Sequence, residues 1–138
     1  MIKWLAVCFV LIGCFITPAQ AQVVVLAGGT LIDGTGRNPI TNAVVVIEGN
    51  RIKAAGAKGQ VSYPQNARVI KTDAKFILPG LIDAHIEAGK LADITVVDAN
   101  PLNDITATRK IGMVIKDGKV LDTTYDPAFR NPIPRPTR

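Results

Sequence analysis

Ala43-Val44-Val45-Val46-Ile47-Glu48 runs into Gly49-Asn50 and out again through Arg51-Ile52-Lys53-Ala54-Ala55. Two runs rich in strand-forming residues with two turn residues between them predict a β-hairpin, although Gly-Asn is a weaker turn pair than Asn-Gly. The first run is apolar without interruption from Ala43 to Ile47. That predicts a strand covered on both faces, or the core strand of a sandwich. The same grammar continues on either side. Upstream, Val23-Val24-Val25-Leu26-Ala27 is followed by Gly28-Gly29, then Thr30-Leu31-Ile32-Asp33, then a loop from Gly34 to Pro39 rich in Gly and Asn. Downstream, strands are predicted at residues 67–72, 76–78, 94–97 and 113–116, with Val61-Ser62-Tyr63-Pro64 read as a turn. The last strand passes through Asp117-Gly118, a strong hairpin signal, into Lys119-Val120-Leu121. No window sustains a 3.6-residue apolar period. Residues 101–110 have room for one helical turn or two, with Asp104 as N-cap. Many short strands at close spacing predict an all-β chain, a small β-sandwich or partly open barrel.

Composition agrees with a globular core. The 138 residues are 48% hydrophobic and 20% charged, which excludes a disordered or collagen-like chain. The net charge of +5 comes from Lys and Arg scattered along the sequence, so no stripe for nucleic acid is visible and none is expected as a partner. The scarce residues limit the chemistry more: one His, one Ser, one Trp and two Cys.

Residues 1–21 read as a secretory signal, expected as a helix. Lys3 gives the positive start, residues 4–16 the apolar run, and Pro18-Ala19-Gln20-Ala21 a cleavage site before Gln22. The run is shorter than the roughly 18 to 20 residues of a membrane-spanning helix, so no span is expected after cleavage. The destination is outside the cell or the periplasm. Leu11-Ile12-Gly13-Cys14 offers another route, in which Cys14 becomes a lipid anchor. Cleavage after Ala21 removes Cys8 and Cys14, leaving no thiolate for a disulfide, metal or nucleophile. One domain is expected over residues 22–123, and a Pro-rich extended tail over 124–138.

Two stretches resemble the metal-dependent amidohydrolase superfamily, in particular its imidazolonepropionase-like and prolidase-like branch. The first begins Gly29-Thr30-Leu31-Ile32-Asp33-Gly34-Thr35-Gly36. It continues through Val44 to Ile47 and Glu48-Gly49-Asn50-Arg51-Ile52, and ends Leu78-Pro79-Gly80-Leu81-Ile82-Asp83-Ala84-His85. The second runs from Ile86-Glu87-Ala88-Gly89-Lys90-Leu91-Ala92-Asp93 through Ile94-Thr95-Val96-Val97-Asp98 to Leu102. The resemblance implies a composite β-domain built from segments before and after a catalytic (β/α)8 barrel. It splits residues 22–123 into an N-terminal half, 22–85, and a C-terminal half, 86–123, that meet directly. A barrel needs roughly 200 or more residues. None stand between His85 and Ile86.

The resemblance also implies zinc or another divalent metal held by a His-x-His pair and further barrel ligands. Here His85 is the one position matching that pair, and Glu87 reads as part of the returning segment. A catalytic zinc is typically held by three protein ligands. One imidazole without cysteine cannot supply them, and Asp83, Glu87 and Asp93 offer at most a weak, hydrated cation site. No bound cofactor and no catalytic residue are therefore expected. A Ser-His-Asp triad would have to use Ser62, which lacks a nucleophile elbow. Gly28-Gly29 and Gly34-x-Gly36 precede no long helix and read as turns needing positive φ.

The sequence thus describes an exported, barrel-less amidohydrolase relative, expected to serve as a non-catalytic structural or interaction module. The alternative is a hydrolase of carbon–nitrogen bonds, dipeptidase-like, whose barrel comes from another chain. Joining the halves is expected to expose barrel-facing apolar surface and favour a homo-oligomer.

Overall fold

A computed structural model describes residues 22–80 and 85–123. Residues 1–21, expected above to be a secretory signal, residues 81–84 with Asp83 among them, and the Pro-rich residues 124–138 lie outside the described residues. The rest is an all-β domain of nine strands in two mixed sheets. In chain order these are β1 (Val23–Ala27), β2 (Thr30–Leu31), β3 (Ala43–Glu48), β4 (Arg51–Ala57), β5 (Arg68–Lys71), β6 (Phe76–Pro79), β7 (Ile94–Val97), β8 (Ile111–Lys116) and β9 (Lys119–Leu121). The first sheet has the order β4-β3-β1-β5 and the second β2-β6-β7-β8-β9. All described pairings are antiparallel except β1 with β5 and β2 with β6.

The core lies between the sheets. Leu26, Val45, Ile47 and Ile52 from the first meet Leu31, Ile77, Ile94, Val96 and Ile115 from the second, all essentially without exposure. The uninterrupted apolar run of β3 is explained by its two faces. Ala43, Val45 and Ile47 enter this core, while Val44 and Val46 join Val25 in a second cluster on the outer face, beside Val61 and Ala67. Strand side chains alternate sides, so a centrally placed strand buried on both faces needs hydrophobicity at every position.

The hairpins fall where the turn residues predicted them. At Gly49-Asn50 only the glycine is left-handed (φ 61°), the pattern of a type II′ turn. At Asp117-Gly118 both residues are left-handed (φ 50° and 74°), as a type I′ turn requires. Residues 105–109 form one short 3-10 helix, Ile105–Arg109, with the Asp104 carboxylate accepting from the Thr106 N–H at 2.9 Å. No described helix is long and apolar enough to cross a membrane.

The glycines divide by cause. Gly28, Gly34 and Gly36 have φ of 102°, 82° and 82°, as turns demand. Gly29 is not left-handed and corrects the sequence reading. A Cβ there would lie 2.9 Å from the Thr72 carbonyl oxygen, so Gly29 is required by close approach. At this corner β1 passes into β2 while β5 passes into β6, and both chains change sheets side by side. The buried Thr72 hydroxyl holds them, accepting from the Gly29 N–H at 3.0 Å and donating to the Ala27 carbonyl at 3.1 Å.

Candidate functional site

The stretch that the resemblance marks as the barrel entrance lies after β6. Pairing of β6 with β7 extends one step beyond Pro79 and Ile94, because the Gly80 N–H donates to the Asp93 carbonyl at 2.7 Å. The two halves therefore leave and return on adjacent antiparallel strands. From His85 the chain folds back over the domain. The Ile86 N–H donates to the Asp33 carbonyl at 2.9 Å, and its side chain is buried in the core at 2% exposure. Gly89 turns with φ 87° and donates to the Ile52 carbonyl, and Ile52 donates back to the Lys90 carbonyl at 2.9 Å. Ala92, also buried, donates to the Asn50 carbonyl at 2.8 Å and accepts from the Gly118 N–H at 3.0 Å. At the join, the described apolar residues Ile86 and Ala92 are covered by the chain itself.

His85 is exposed on this segment. Glu87 is also exposed, with a carboxylate oxygen 3.6 Å from the Arg37 guanidinium. Asp93 is buried and fully engaged: Oδ1 accepts from the Asp117 N–H at 2.8 Å, and Oδ2 is paired with the Lys116 ammonium. The Asp117 N–H and then Lys116 hold the Asp93 carboxyl below the usual aspartate range, against the opposing effect of burial. The acidic residues grouped with His85 by sequence are thus committed elsewhere, or in the case of Asp83 lie outside the described residues.

Asp33 is the residue whose role sequence reasoning missed. Its Oδ1 accepts from the Thr35 N–H at 2.9 Å and hydroxyl at 2.7 Å, and its Oδ2 lies 2.9 Å from Arg37. Burial pushes this carboxyl up, but the Thr35 bonds and Arg37 outweigh it and leave it below the usual range. The signal was present in Asp33-Gly34-Thr35, because an Asp side chain bonding the backbone two residues on is a common turn device. The loop so fixed presents the Asp33 carbonyl to Ile86.

The family's metal can be tested against these donors. Among the described residues no group of three or more His, Cys, Asp or Glu side chains lies together as a bound ion would need. His85 stands at the surface, and Asp93 has no oxygen to offer. The described residues do not fit a metal of the family's kind. Ser62 lies apart from this region, in an open groove of about 550 Å³ on the outer face of the first sheet, with Val46, Glu48, Lys53 and Asn66. Glu48 and Lys53 in that groove pair with each other.

No family model matches the chain. It is 32% identical over 65 residues to the 5-methylthioadenosine/S-adenosylhomocysteine deaminase of Symbiobacterium thermophilum, covering 46% of this chain and 15% of the deaminase. The likeness is to the amidohydrolase superfamily. Solved amidohydrolase structures similar to the chain include molinate hydrolase, at 39% identity and a TM-score of 0.40, over 44% of this chain and 13% of that one. Phenylurea hydrolase B is 29% identical with a TM-score of 0.40, over 43% and 13%. The A. niger ochratoxinase is 28% identical with a TM-score of 0.40, over 45% and 14%. The chain therefore spans about a seventh of the length of these amidohydrolases.

Proposed function

We propose that this chain is a barrel-less amidohydrolase relative that serves as a non-catalytic structural or interaction module. The observation that carries the reading is the continuous β6–β7 ladder across the join, with Gly80 bonded to Asp93. Strands that would carry the chain into and out of a barrel are here connected by the twelve residues 81–92. The donor set supports the same reading, since hydrolysis by a bound metal needs a cation that polarises the carbonyl and activates water. The module is exported through residues 1–21, and it self-associates if apolar surface outside the join remains open. Tyr63, Val69, Leu102, Ile105, Ile111 and Leu121 are the described candidates for such surface.

The test uses the full chain as it accumulates in cells. After incubation with Zn²⁺ or Mn²⁺ and desalting, elemental analysis should find far less than one metal per chain, and no acyl-proline dipeptide should be hydrolysed. A stoichiometric metal with metal-dependent hydrolysis, both lost in His85→Ala, would overturn the proposal. Export has a separate readout: N-terminal sequencing of the exported protein should begin at Gln22, whereas a lipidated Cys14 would show the anchored route.

A further inference from the structure

We infer that residues 85–93 are a clasp that fastens the two sheets together and seals the point where the two halves of the chain are joined. The inference does not depend on whether the chain hydrolyses anything. It begins from an edge. β4 is the last strand of its sheet, and the start of its outer side is paired, with Leu91 opposite Arg51 and Ile52 exchanging bonds with Gly89 and Lys90. The Arg51 guanidinium adds a bond to the Gly89 carbonyl at 2.7 Å. Three residues after Leu91 the same segment is in the second sheet as β7. One short stretch thus occupies an edge of one sheet and enters the middle of the other.

Two turns interlock with this segment. The Gly49-Asn50 turn accepts from Ala92, and its Asn50 side chain donates to the Asp117 carboxylate at 3.0 Å. The Asp117-Gly118 turn donates to the Ala92 carbonyl and to the Asp93 carboxylate. Packing is so close that a Cβ on Gly118 would lie 2.0 Å from the Gly49 carbonyl oxygen. On the other side, Ile86 plugs the core and Arg37 bridges Asp33 to Glu87. Apart from the pair of Arg37 with Asp33, these contacts cross between segments distant in sequence, and opening either turn or residues 85–93 removes partners from the other two. The clasp therefore opens as one unit, and while it is closed Ile86 and Ala92 are withheld from a second chain.

Native-state amide exchange on the full chain tests this. His85-Ile86-Glu87-Ala88 is replaced by Gly-Ser-Gly-Ser, keeping the length. The Ile52, Ala92, Asp117 and Gly118 amides should then exchange roughly tenfold faster or more, and by a common factor, while Gly29 and Thr72 at the opposite corner keep their protection. The replaced chain should also self-associate more than the native chain at the same concentration, as read by light scattering. If the replacement fails to fold, Asp93→Asn gives the milder opening, with the same four amides shifting together. Independent or unchanged exchange at those four sites would overturn the clasp. So would a native chain whose self-association is lost on replacement, because the join would then be an interface and not a seal.

Discussion

Two of the places where the chain passes between the sheets are built differently. At the Gly28-Gly29 corner two parallel pairs cross side by side, held by backbone bonds such as Thr72 to Ala27 and Thr30 to Lys75, with the buried Thr72 hydroxyl as the side chain that ties them. At the clasp a single chain crosses, and it is held by a buried isoleucine, several backbone bonds and a buried aspartate. The corner achieves fit by removing side chains: Gly29 admits the Thr72 carbonyl at a distance that no Cβ could share. The clasp achieves it by adding them, since Ile86 fills space that the two halves leave between them. At the corner the Thr72 side chain matters through its two hydrogen bonds and not through the space it fills. A seal made by insertion depends on the inserted group.

The sharpest way to break that contrast is Ile86→Ala. Removing a buried isoleucine typically costs about 2–5 kcal/mol, through lost burial and the cavity left behind. Urea denaturation should show a loss in that range with an unchanged slope. A loss below about 1 kcal/mol would mean the core closes without its plug, which an ordinary buried isoleucine does not allow.

This residue also marks how far the sequence could be read. The strands and hairpins were legible because β-branched runs and turn residues report local geometry, and all nine strands fall within the predicted runs or extend them by a few residues. Asp104 was legible as a cap for the same reason. The destination of Ile86 was not. Nothing local distinguishes an isoleucine in a loop from one that folds back onto Asp33 across roughly 175 Å of chain contour, at about 3.3 Å per residue. Ile86 and Ala92 are covered by long-range pairing that no periodicity reports. Gly29 was misread for a related reason, because φ is a local property and close approach is not. In the candidate site, His85 was identified as a lone imidazole from composition alone, while the commitments of Asp93 to Lys116 and Asp117 required the fold to be seen.

At the corner, Thr72→Val keeps the shape and removes the hydroxyl. The Gly29 N–H then loses its acceptor in a buried setting, at a cost of about 1–3 kcal/mol. The effect should be smaller than that of Ile86→Ala when both are measured in one urea series. The reverse order would place the principal stitch of the sandwich at the corner.

Acid should separate the two joints without any mutation. The Asp93 carboxyl is held below its ordinary value by the Asp117 N–H and by Lys116. A group with a lowered folded-state value stabilises the fold fully above its unfolded value, near 3.9 for aspartate, and loses that contribution as pH falls through the folded value. The Thr72 hydroxyl does not titrate. Between pH 5 and pH 3, corrected for intrinsic exchange, protection of Asp117 and Gly118 should fall while that of Gly29 holds. Equal loss at both ends would show that acid acts on the whole domain and not on the clasp.

The smallest effect tests whether the rim of the clasp matters at all. Arg37 lies 2.9 Å from Asp33 and 3.6 Å from Glu87, which invites the view that an ion-pair network secures the join. Its side chain is 67% exposed and Glu87 is 45% exposed, so water competes for both partners. Pairs of this kind typically contribute about 0–1 kcal/mol. Asp33 keeps both Thr35 bonds without Arg37, and its backbone carbonyl, the group that receives Ile86, is untouched by the change. Arg37→Ala should therefore cost under about 1 kcal/mol, and less again in high salt, where screening removes what the exposed pair contributes. A loss comparable to that of Ile86→Ala would move the weight of the clasp from its buried plug to its charged rim, and the contrast with the corner would have to be drawn in electrostatics instead of packing.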